Sequence, residues 1–220
     1  MIENASDLTL DELRPALAPA IADNAVFDGW SDEALTLAAE MEGVDPDVAR
    51  LAFEKGQMAM IEAWIESIDR AMAQEWPPER LAQLKIRERI RTLIQYRLDA
   101  VAGREEALRR ALAIMAMPQN AAAALRTGWH SADVMWRLAG DTATDYNHYT
   151  KRAILAGIYG ATLTVFLDDQ SENKAETRAF LDRRIDGVMK FEKVKAQFLG
   201  REREGFSVVR FLGRLRYPAT

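Results

Sequence analysis

Apolar residues recur at helical spacing along the N-terminal third of the chain. Leu13, Leu17 and Ile21 form one such stripe and predict a first helix over about residues 11–27, capped by Thr9 or Asp11. Ser31 is placed to cap a second helix that ends at Gly43, and a short third helix follows Pro46. A fourth helix is predicted over residues 57–76, before a pair of prolines.

The same periodicity continues through the remaining two thirds of the chain. It predicts helices over residues 79–101, 104–117, 118–139, 149–167 and 175–191, with a short last helix at 205–217. Residues 140–147 are turn formers and predict a loop. Because alternating β-branched segments are absent from the sequence, no strand is predicted and the fold class is all-α.

The order of the first four helices has a recognisable layout. A Gly-Trp-Ser step, a helix, a Gly-Val-Asp-Pro turn, a short helix and a long helix follow one another over residues 29–66. This arrangement resembles the helix-turn-helix unit of TetR-type regulators. We therefore expect a TetR-like fold, with residues 1–76 as an N-terminal three-helix unit, 77–200 as a C-terminal helical ligand-binding bundle and 201–220 as an amphipathic tail.

Charge argues against nucleic acid as a partner of this unit. Residues 1–75 carry 17 acidic and 4 basic side chains, whereas residues 76–220 carry 17 acidic and 25 basic ones. On the second and third predicted helices Arg50 is the only basic residue among six acidic ones. A surface of this sign repels phosphates. A scaffold kept for packing is the favoured interpretation, and a TetR-type ligand-sensing transcriptional regulator is the alternative.

Few residues offer catalytic chemistry. The chain has no cysteine, and its two histidines, His130 and His148, belong to no metal-binding pair at helical spacing. Asp168 and Asp169 follow an apolar helix and are expected to form a solvated helix end. We predict no enzyme activity, no metal and no cofactor, although an acid–base group of Asp145, His148 and Tyr149 is a third hypothesis.

The segment from residue 140 to 152 is the strongest candidate for a functional centre. It joins two apolar helices through a polar loop and places Tyr146, His148 and Tyr149 at the start of the second helix. Exposed aromatic side chains are common anchors for a protein partner. A buried helix cap is the equally weighted alternative.

A long motif surrounds this segment. Its central residues are Trp136, Ala139, Gly140, Asp141, Thr144, Asp145, Asn147, Tyr149, Thr150, Lys151 and Arg152. It continues upstream at residues 115–118 and downstream through Tyr159, Leu167, Asp169 and residues 180–185. The motif resembles that of a known family, the lipid-binding accessory proteins of coenzyme Q biosynthesis.

This resemblance implies a non-catalytic homodimer that has lost DNA binding and kept a hydrophobic ligand chamber. It implies that the chain binds an isoprenoid quinone precursor and presents it to the di-iron demethoxyubiquinone hydroxylase. The family's partner surface falls on Asp145, Tyr146, His148, Tyr149 and Arg152. Position 148 departs from the mitochondrial members, in which we associate it with Trp. The candidate lipid-binding residues are Leu93, Leu112, Met115, Trp136, Leu155 and Tyr159.

The C-terminal tail is basic and amphipathic. From residue 190 onward the chain carries 8 basic and 3 acidic side chains. Short helices of this kind lie in the membrane interface. The predicted membrane-binding residues are Val208, Arg210, Phe211, Leu212, Arg214 and Leu215. A helix docked on the body or on a dimer mate is the alternative.

The start of the chain is acidic and lacks the features of a secretory signal or a transit peptide. We therefore expect a protein of the bacterial cytoplasm, peripherally associated with the inner membrane.

Overall fold

The structure is a computed structural model that describes residues 7–144 and 146–188. Within these residues the chain is helical and contains no strand, so the predicted all-α class is confirmed. No helix in this part of the chain is long and apolar enough to cross a bilayer. The helices are α1 (Leu10–Asp28), α2 (Asp32–Glu42), α3 (Pro46–Ala52), α4 (Gln57–Glu75), α5 (Pro78–Leu81), α6 (Ile86–Val101), α7 (Glu105–Met115), α8 (Ala121–Leu138), α9 (Tyr146–Asp168) and α10 (residues 175–188).

Side-chain N-caps start the first three helices, and two of them, Thr9 and Ser31, were predicted. The hydroxyl of Thr9 accepts from the backbone N–H of Glu12 at 3.3 Å, and the Glu12 carboxylate accepts from the Thr9 N–H at 3.0 Å. This capping box satisfies two backbone donors that the helix itself leaves unpaired. Ser31 and Asp45 cap α2 and α3 through backbone N–H groups at 3.2 Å and 2.8 Å. Local sequence is therefore sufficient to define these helix starts.

The N-terminal unit shares its core with the helices that follow. α1 packs mainly against α2 and α4, and Leu13, Leu17 and Ile21 are fully buried there. Trp30, also buried, donates its indole N–H to the carbonyl oxygen of Ala107 at 3.0 Å. Its ring centroid lies 5.3 Å from that of Trp64 on α4. The contact ties the start of α2 to α7.

The helix predicted over residues 79–101 is interrupted, so that prediction is wrong. The chain forms α5, turns through residues 82–85, and begins α6 at Ile86 from an extended Lys85. Arg89 donates to the carbonyl oxygens of Ala82 and Leu84 at 3.1 Å and 2.9 Å. It thereby satisfies acceptors that a continuous helix would pair internally.

Among the C-terminal helices, α9 packs mainly against α8. α8 and α9 make a hairpin that buries Met135, Leu155 and Phe166. α10 buries Leu181 and Ile185 and is joined to α6 by ion pairs of Arg91 with Asp182 and Arg87 with Asp186, each at 2.7 Å. The end of the predicted helix 175–191 and the whole tail 201–220 lie outside the described residues.

Candidate functional site

The loop between α8 and α9 begins with a glycine-dependent turn. Gly140 has φ +89°, in the left-handed region that favours glycine. Its N–H donates to the Arg137 carbonyl oxygen at 2.9 Å, and the next N–H, of Asp141, donates to the Trp136 carbonyl oxygen at 2.9 Å. These two bonds form a Schellman motif, which ends α8 and directs the chain back toward α9.

A partly buried charge cluster holds this loop against both helices. The Arg152 side chain on α9 donates from Nε to Asp133 at 2.5 Å and from Nη1 to Asp141 at 3.0 Å. Lys151 donates to the other Asp141 oxygen at 2.6 Å. Burial alone would raise the pKa of both carboxyl groups, but hydrogen bonds from Arg152 and, at Asp141, from Lys151 hold each pKa below its usual range. The cluster therefore positions the loop as a unit.

Arg152 does not lie on the surface where we expected a partner contact. It is 1% exposed, and Nη1 also donates to the carbonyl oxygen of His148 at 3.1 Å. Its side chain supports the helix start from beneath. Sequence alone did not reveal this role, because an arginine in the first turns of a polar helix start is usually solvated.

The aromatic residues at the start of α9 divide by exposure. Tyr149 is 61% exposed, with its ring centroid 6.0 Å from that of Trp129 and 5.1 Å from the imidazole of His148. His148 is half-buried, and its Nδ1 lies 3.0 Å from the Ala143 carbonyl oxygen. His148 therefore fits the alternative of a buried helix cap, whereas Tyr149 presents an aromatic side chain at the surface. Asp145 and the Tyr146 side chain lie outside the described residues.

A cavity of about 460 Å³ lies directly beside this loop, and we call it the large cavity. Trp136 and Leu155, two of the predicted lipid-binding residues, line it. The indole N–H of Trp136 donates to the Lys151 carbonyl oxygen at 3.0 Å, which fixes the ring in the wall. Its further apolar lining is Ile86, Ile90, Ala139, Ile154, Ile158, Ile185 and Val188.

A second cavity, of about 170 Å³, contacts a different set of α9 residues, and we call it the small cavity. It is lined by three further predicted residues, Leu112, Met115 and Tyr159. Leu93, the remaining one, is buried in the core and lines neither of these two cavities. The residues predicted to bind lipid are therefore divided between two separate cavities.

Sequence reasoning missed the charged residue in the wall of the small cavity. Arg97 is buried and donates from Nη1 to Asp69 and from Nη2 to the Ser131 hydroxyl at 3.2 Å. Burial raises the pKa of Asp69, and Arg97 beside it offsets part of that rise. A signal was present: Arg97 lies in register with Leu93 and Val101 on the apolar face of α6.

Asp169 corrects the expectation of a solvated helix end. Asp168 is exposed, but Asp169 is only 4% exposed. It accepts from the N–H and hydroxyl of Ser171 at 2.8 Å and 2.5 Å, and from those of Thr177 at 2.8 Å and 2.6 Å. Burial would raise its pKa, yet these bonds hold the pKa far below its usual range. The residue closes the turn into α10.

The helix-turn-helix face carries no free basic patch in the described chain. Arg50 of α3 donates to Asp47 at 2.7 Å and to the Thr36 hydroxyl at 3.0 Å. Among the described residues no group of three or more His, Asp and Glu side chains is arranged to hold a metal ion. The regulator alternative is not favoured, because its DNA contact would need unpaired cations.

The helical order and the shared core define a TetR-like protein. The chain is similar to the TetR transcriptional regulator from Nitrosomonas europaea ATCC 19718, with a TM-score of 0.62 and 25% sequence identity. The likeness covers 79% of this chain and 96% of that one. The predicted TetR-like fold is confirmed.

Within that class the C-terminal helices are similar to a known family. Residues 121–192 match the COQ9 family, which confirms the predicted resemblance to coenzyme Q biosynthesis accessory proteins. The ubiquinone biosynthesis protein COQ9 of Rattus norvegicus is 32% identical over 73% of this chain and 54% of its own length. The Homo sapiens protein is 28% identical over 81% of this chain and 58% of its own length. The chain thus spans little more than half of these relatives.

The relatives correct the expected location. The rat, human and Drosophila melanogaster proteins are all named as mitochondrial. The expectation of a bacterial cytoplasmic protein at the inner membrane is therefore wrong. Charge and hydropathy over the first residues were not a sufficient basis for it.

Proposed function

We propose that this chain serves ubiquinone biosynthesis as a non-catalytic, lipid-binding accessory protein. It binds an isoprenoid quinone precursor and presents it at a membrane to the di-iron demethoxyubiquinone hydroxylase. The family match and the names of the relatives support the pathway. The acidic helix-turn-helix unit then acts as a packing scaffold.

One observation carries the proposal: residues of the segment from 140 to 152, where we expect the partner to bind, also line the large cavity. Gly140, Asp141 and Lys151 line the cavity and also belong to the loop and helix start that precede or flank Tyr149. The rest of the lining is mainly apolar side chains of α6, α8, α9 and α10, together with the α6 residues Arg87 and Arg89 and the α9 residues Asn147 and Thr150. A ligand with a long apolar part and a polar end fits this distribution, with the polar end toward the loop.

The size and lining of the large cavity suit a lipid segment. Small-molecule sites commonly occupy about 300–1,000 Å³ and are mainly apolar with a few polar groups. Each methylene removed from water contributes roughly 0.8 kcal/mol, so a few isoprenoid units in contact with Ile154, Leu155 and Ile158 supply a substantial driving force. The cavity needs no catalytic group for this task.

The surface beside the cavity suits a protein partner. Tyr149 projects next to Trp129, and large aromatic side chains are frequent anchors of protein interfaces. Arg152 and the charge cluster fix the position of the helix turn that bears Tyr149. Preorganisation of this kind lowers the entropic cost of docking. The homodimer and the membrane contact of the tail complete the proposal.

Lipid loading tests the proposal directly. Ubiquinone-2, which carries two isoprenoid units, is added to the full chain, and the complex is measured by native mass spectrometry. We expect a one-to-one complex, which Ile154→Trp weakens because the larger side chain occupies part of the large cavity. The matched control is Ala153→Trp, whose neighbouring position on α9 is exposed.

Two results would contradict the proposal. One is a wild-type protein that stays empty at saturating ubiquinone-2. The other is equal loading of the Ile154→Trp and Ala153→Trp variants, since the lipid would then lie outside the large cavity. Circular dichroism melts of all three proteins separate loss of binding from loss of fold.

A further inference from the structure

The charged residues in the wall of the large cavity are mostly cations. Arg87, Arg89 and Lys151 line it together with one carboxylate, that of Asp141. A ligand whose polar end carried a positive charge would be repelled there, whereas an oxygen acceptor would be attracted. How strongly a ligand is bound depends on which of these cations still has donors to offer.

The two arginines already donate to the protein. Arg89 donates from all three of its guanidinium nitrogens to backbone carbonyl oxygens, at distances between 2.7 Å and 3.1 Å. Arg87 pairs with Asp186 of α10 at 2.7 Å. Both side chains therefore serve the packing of α6, and a ligand that took their donors would break contacts of the fold.

Lys151 differs from the arginines in its donor balance. Its ammonium group carries three N–H donors. Among the residues that the structure describes, this group makes one hydrogen bond, to Asp141 Oδ1 at 2.6 Å. The side chain is 40% exposed, so a ligand can approach it without displacing the core. Lys151 therefore has donors left for an oxygen atom of a ligand.

The ammonium group of Lys151 lies at the wall of the large cavity. Lys151 lines this cavity and does not line the small one. Its Nζ lies 2.6 Å from Asp141 Oδ1 and 5.3 Å from the centroid of the Trp136 ring, and both of these neighbours are lining residues as well. The nitrogen therefore lies between two parts of the wall, at the end of the cavity that the loop forms.

Contacts at both ends of the residue preorganise this donor. The Lys151 carbonyl oxygen accepts from the Trp136 indole N–H at 3.0 Å, and Asp141 holds the ammonium group. Asp141 is itself held by Arg152 at 3.0 Å. A donor that is fixed before binding loses less conformational entropy when the ligand arrives.

We propose that Lys151 Nζ is the donor that binds the oxygen-bearing end of the ligand in the large cavity, with the Trp136 ring as the adjacent wall. The inference rests on the proposed function, which supplies a quinone ring on an isoprenoid chain. A ring oxygen accepts the hydrogen bond, and the chain lies against the apolar lining. Lys151 is thus a specificity-determining residue, because it distinguishes an oxygen-bearing headgroup from a hydrocarbon headgroup on the same chain.

Two ligands with the same chain test this selection. Ubiquinone-2 and geranylbenzene each carry two isoprenoid units on a six-membered ring, but only ubiquinone-2 has oxygen acceptors. The full chain is equilibrated with an equimolar mixture of both in detergent and freed of unbound ligand by size exclusion. The bound ligands are then extracted and quantified, and the measured quantity is the ratio of ubiquinone-2 to geranylbenzene.

Lys151→Met is the test variant. It removes the ammonium group and keeps an unbranched side chain, and Asp141 keeps its hydrogen bond to Arg152, so no carboxylate is left unpaired. We expect the ratio to fall about tenfold, as the loss of one hydrogen bond from a charged donor implies, and binding of geranylbenzene to stay unchanged. A purely structural role of Lys151 would instead weaken binding of both ligands together.

Arg137→Met is the matched control for charge. Arg137 is a cation near the same loop that does not line the large cavity and pairs with Asp133 at 2.6 Å. Its removal changes the net charge by the same amount as Lys151→Met. The ratio should stay at its wild-type value, because the hydrogen bond and not the overall field selects the ligand. Circular dichroism melts verify that both variants fold.

A ratio that is unchanged in Lys151→Met, or that falls equally in Arg137→Met, overturns the inference about Lys151. Ubiquinone-2 loading that still depends on Ile154 then leaves the proposed function standing. A wild-type chain that loads neither ligand overturns the proposed function and the inference about Lys151 together.

Discussion

Arg152 Nε lies 2.5 Å from Asp133 Oδ1, and this contact joins the start of α9 to the last turns of α8 beneath the residues that bear the candidate docking surface. Asp133 also pairs with Arg137 at 2.6 Å, but the Arg137 side chain is 71% exposed. The same carboxylate therefore takes part in one buried and one solvated ion pair.

The difference between these two pairs predicts a difference in stability. Arg152→Met leaves Asp133 and Asp141 without their buried cation and should lower the free energy of unfolding by about 3–5 kcal/mol. Arg137→Ala, the control, should cost no more than roughly 1 kcal/mol because its pair is screened by water. Urea denaturation followed by circular dichroism measures both. Similar losses in the two variants would show that burial does not decide the strength of the Asp133 contacts.

Acid should weaken the turn between α9 and α10. The pKa of Asp169 is lower in the folded chain than in the unfolded chain, where it is about 4. The ionised carboxylate therefore stabilises the fold fully at a pH well above the unfolded pKa, and this stabilisation is lost as the pH falls toward the folded pKa. Asp169→Asn should cost about 1–3 kcal/mol at pH 7, since the amide cannot accept all four hydrogen bonds.

The difference in unfolding free energy between wild type and Asp169→Asn should shrink as the pH is lowered from 7 to 3. Asp168→Asn is the matched control, and its exposed side chain should leave both stability and pH dependence almost unchanged. A difference for Asp169→Asn that stays constant with pH would contradict this account.

Tyr149→Ala should weaken binding of the demethoxyubiquinone hydroxylase without unfolding the chain. The ring is mostly exposed, so stability should change by no more than about 0.5 kcal/mol, while loss of an interface anchor commonly costs about 2 kcal/mol or more of binding energy. Pull-down with the hydroxylase of the same organism measures the effect. Leu125→Ala, at an even more exposed position on α8, is the control. Retained pull-down by Tyr149→Ala would remove this residue from the partner surface.

Deletion of residues 205–220 should weaken flotation with anionic liposomes. Each basic residue near such a surface contributes roughly 1 kcal/mol, and the attraction decreases with added salt. Arg210→Gln/Arg214→Gln keeps the apolar face and should lose only the salt-dependent part. Flotation that is the same for the full chain and the deleted one would exclude the tail as the membrane contact.

Local sequence was sufficient for most helices and their caps. Thr9 and Ser31 cap as predicted, because a cap depends on side chains within three residues of it. The break at residues 82–85 was not predictable in this way. It is stabilised by Arg89, which also donates to the Ala139 carbonyl oxygen at 2.7 Å, fifty residues away.

The sequence by itself determined the helical class, the repeat of apolar faces that builds the core, and the family motif at residues 140–152. Only the tertiary structure decided which polar residues of that motif are buried. Arg152 and Asp169 resemble solvated helix-end residues in the sequence, yet their partners, Asp133 and Thr177, enclose them in the fold. Likewise, Arg97 became part of a cavity wall only when five helices met around it. Burial and pairing depend on distant segments, and helical periodicity does not specify which segments meet.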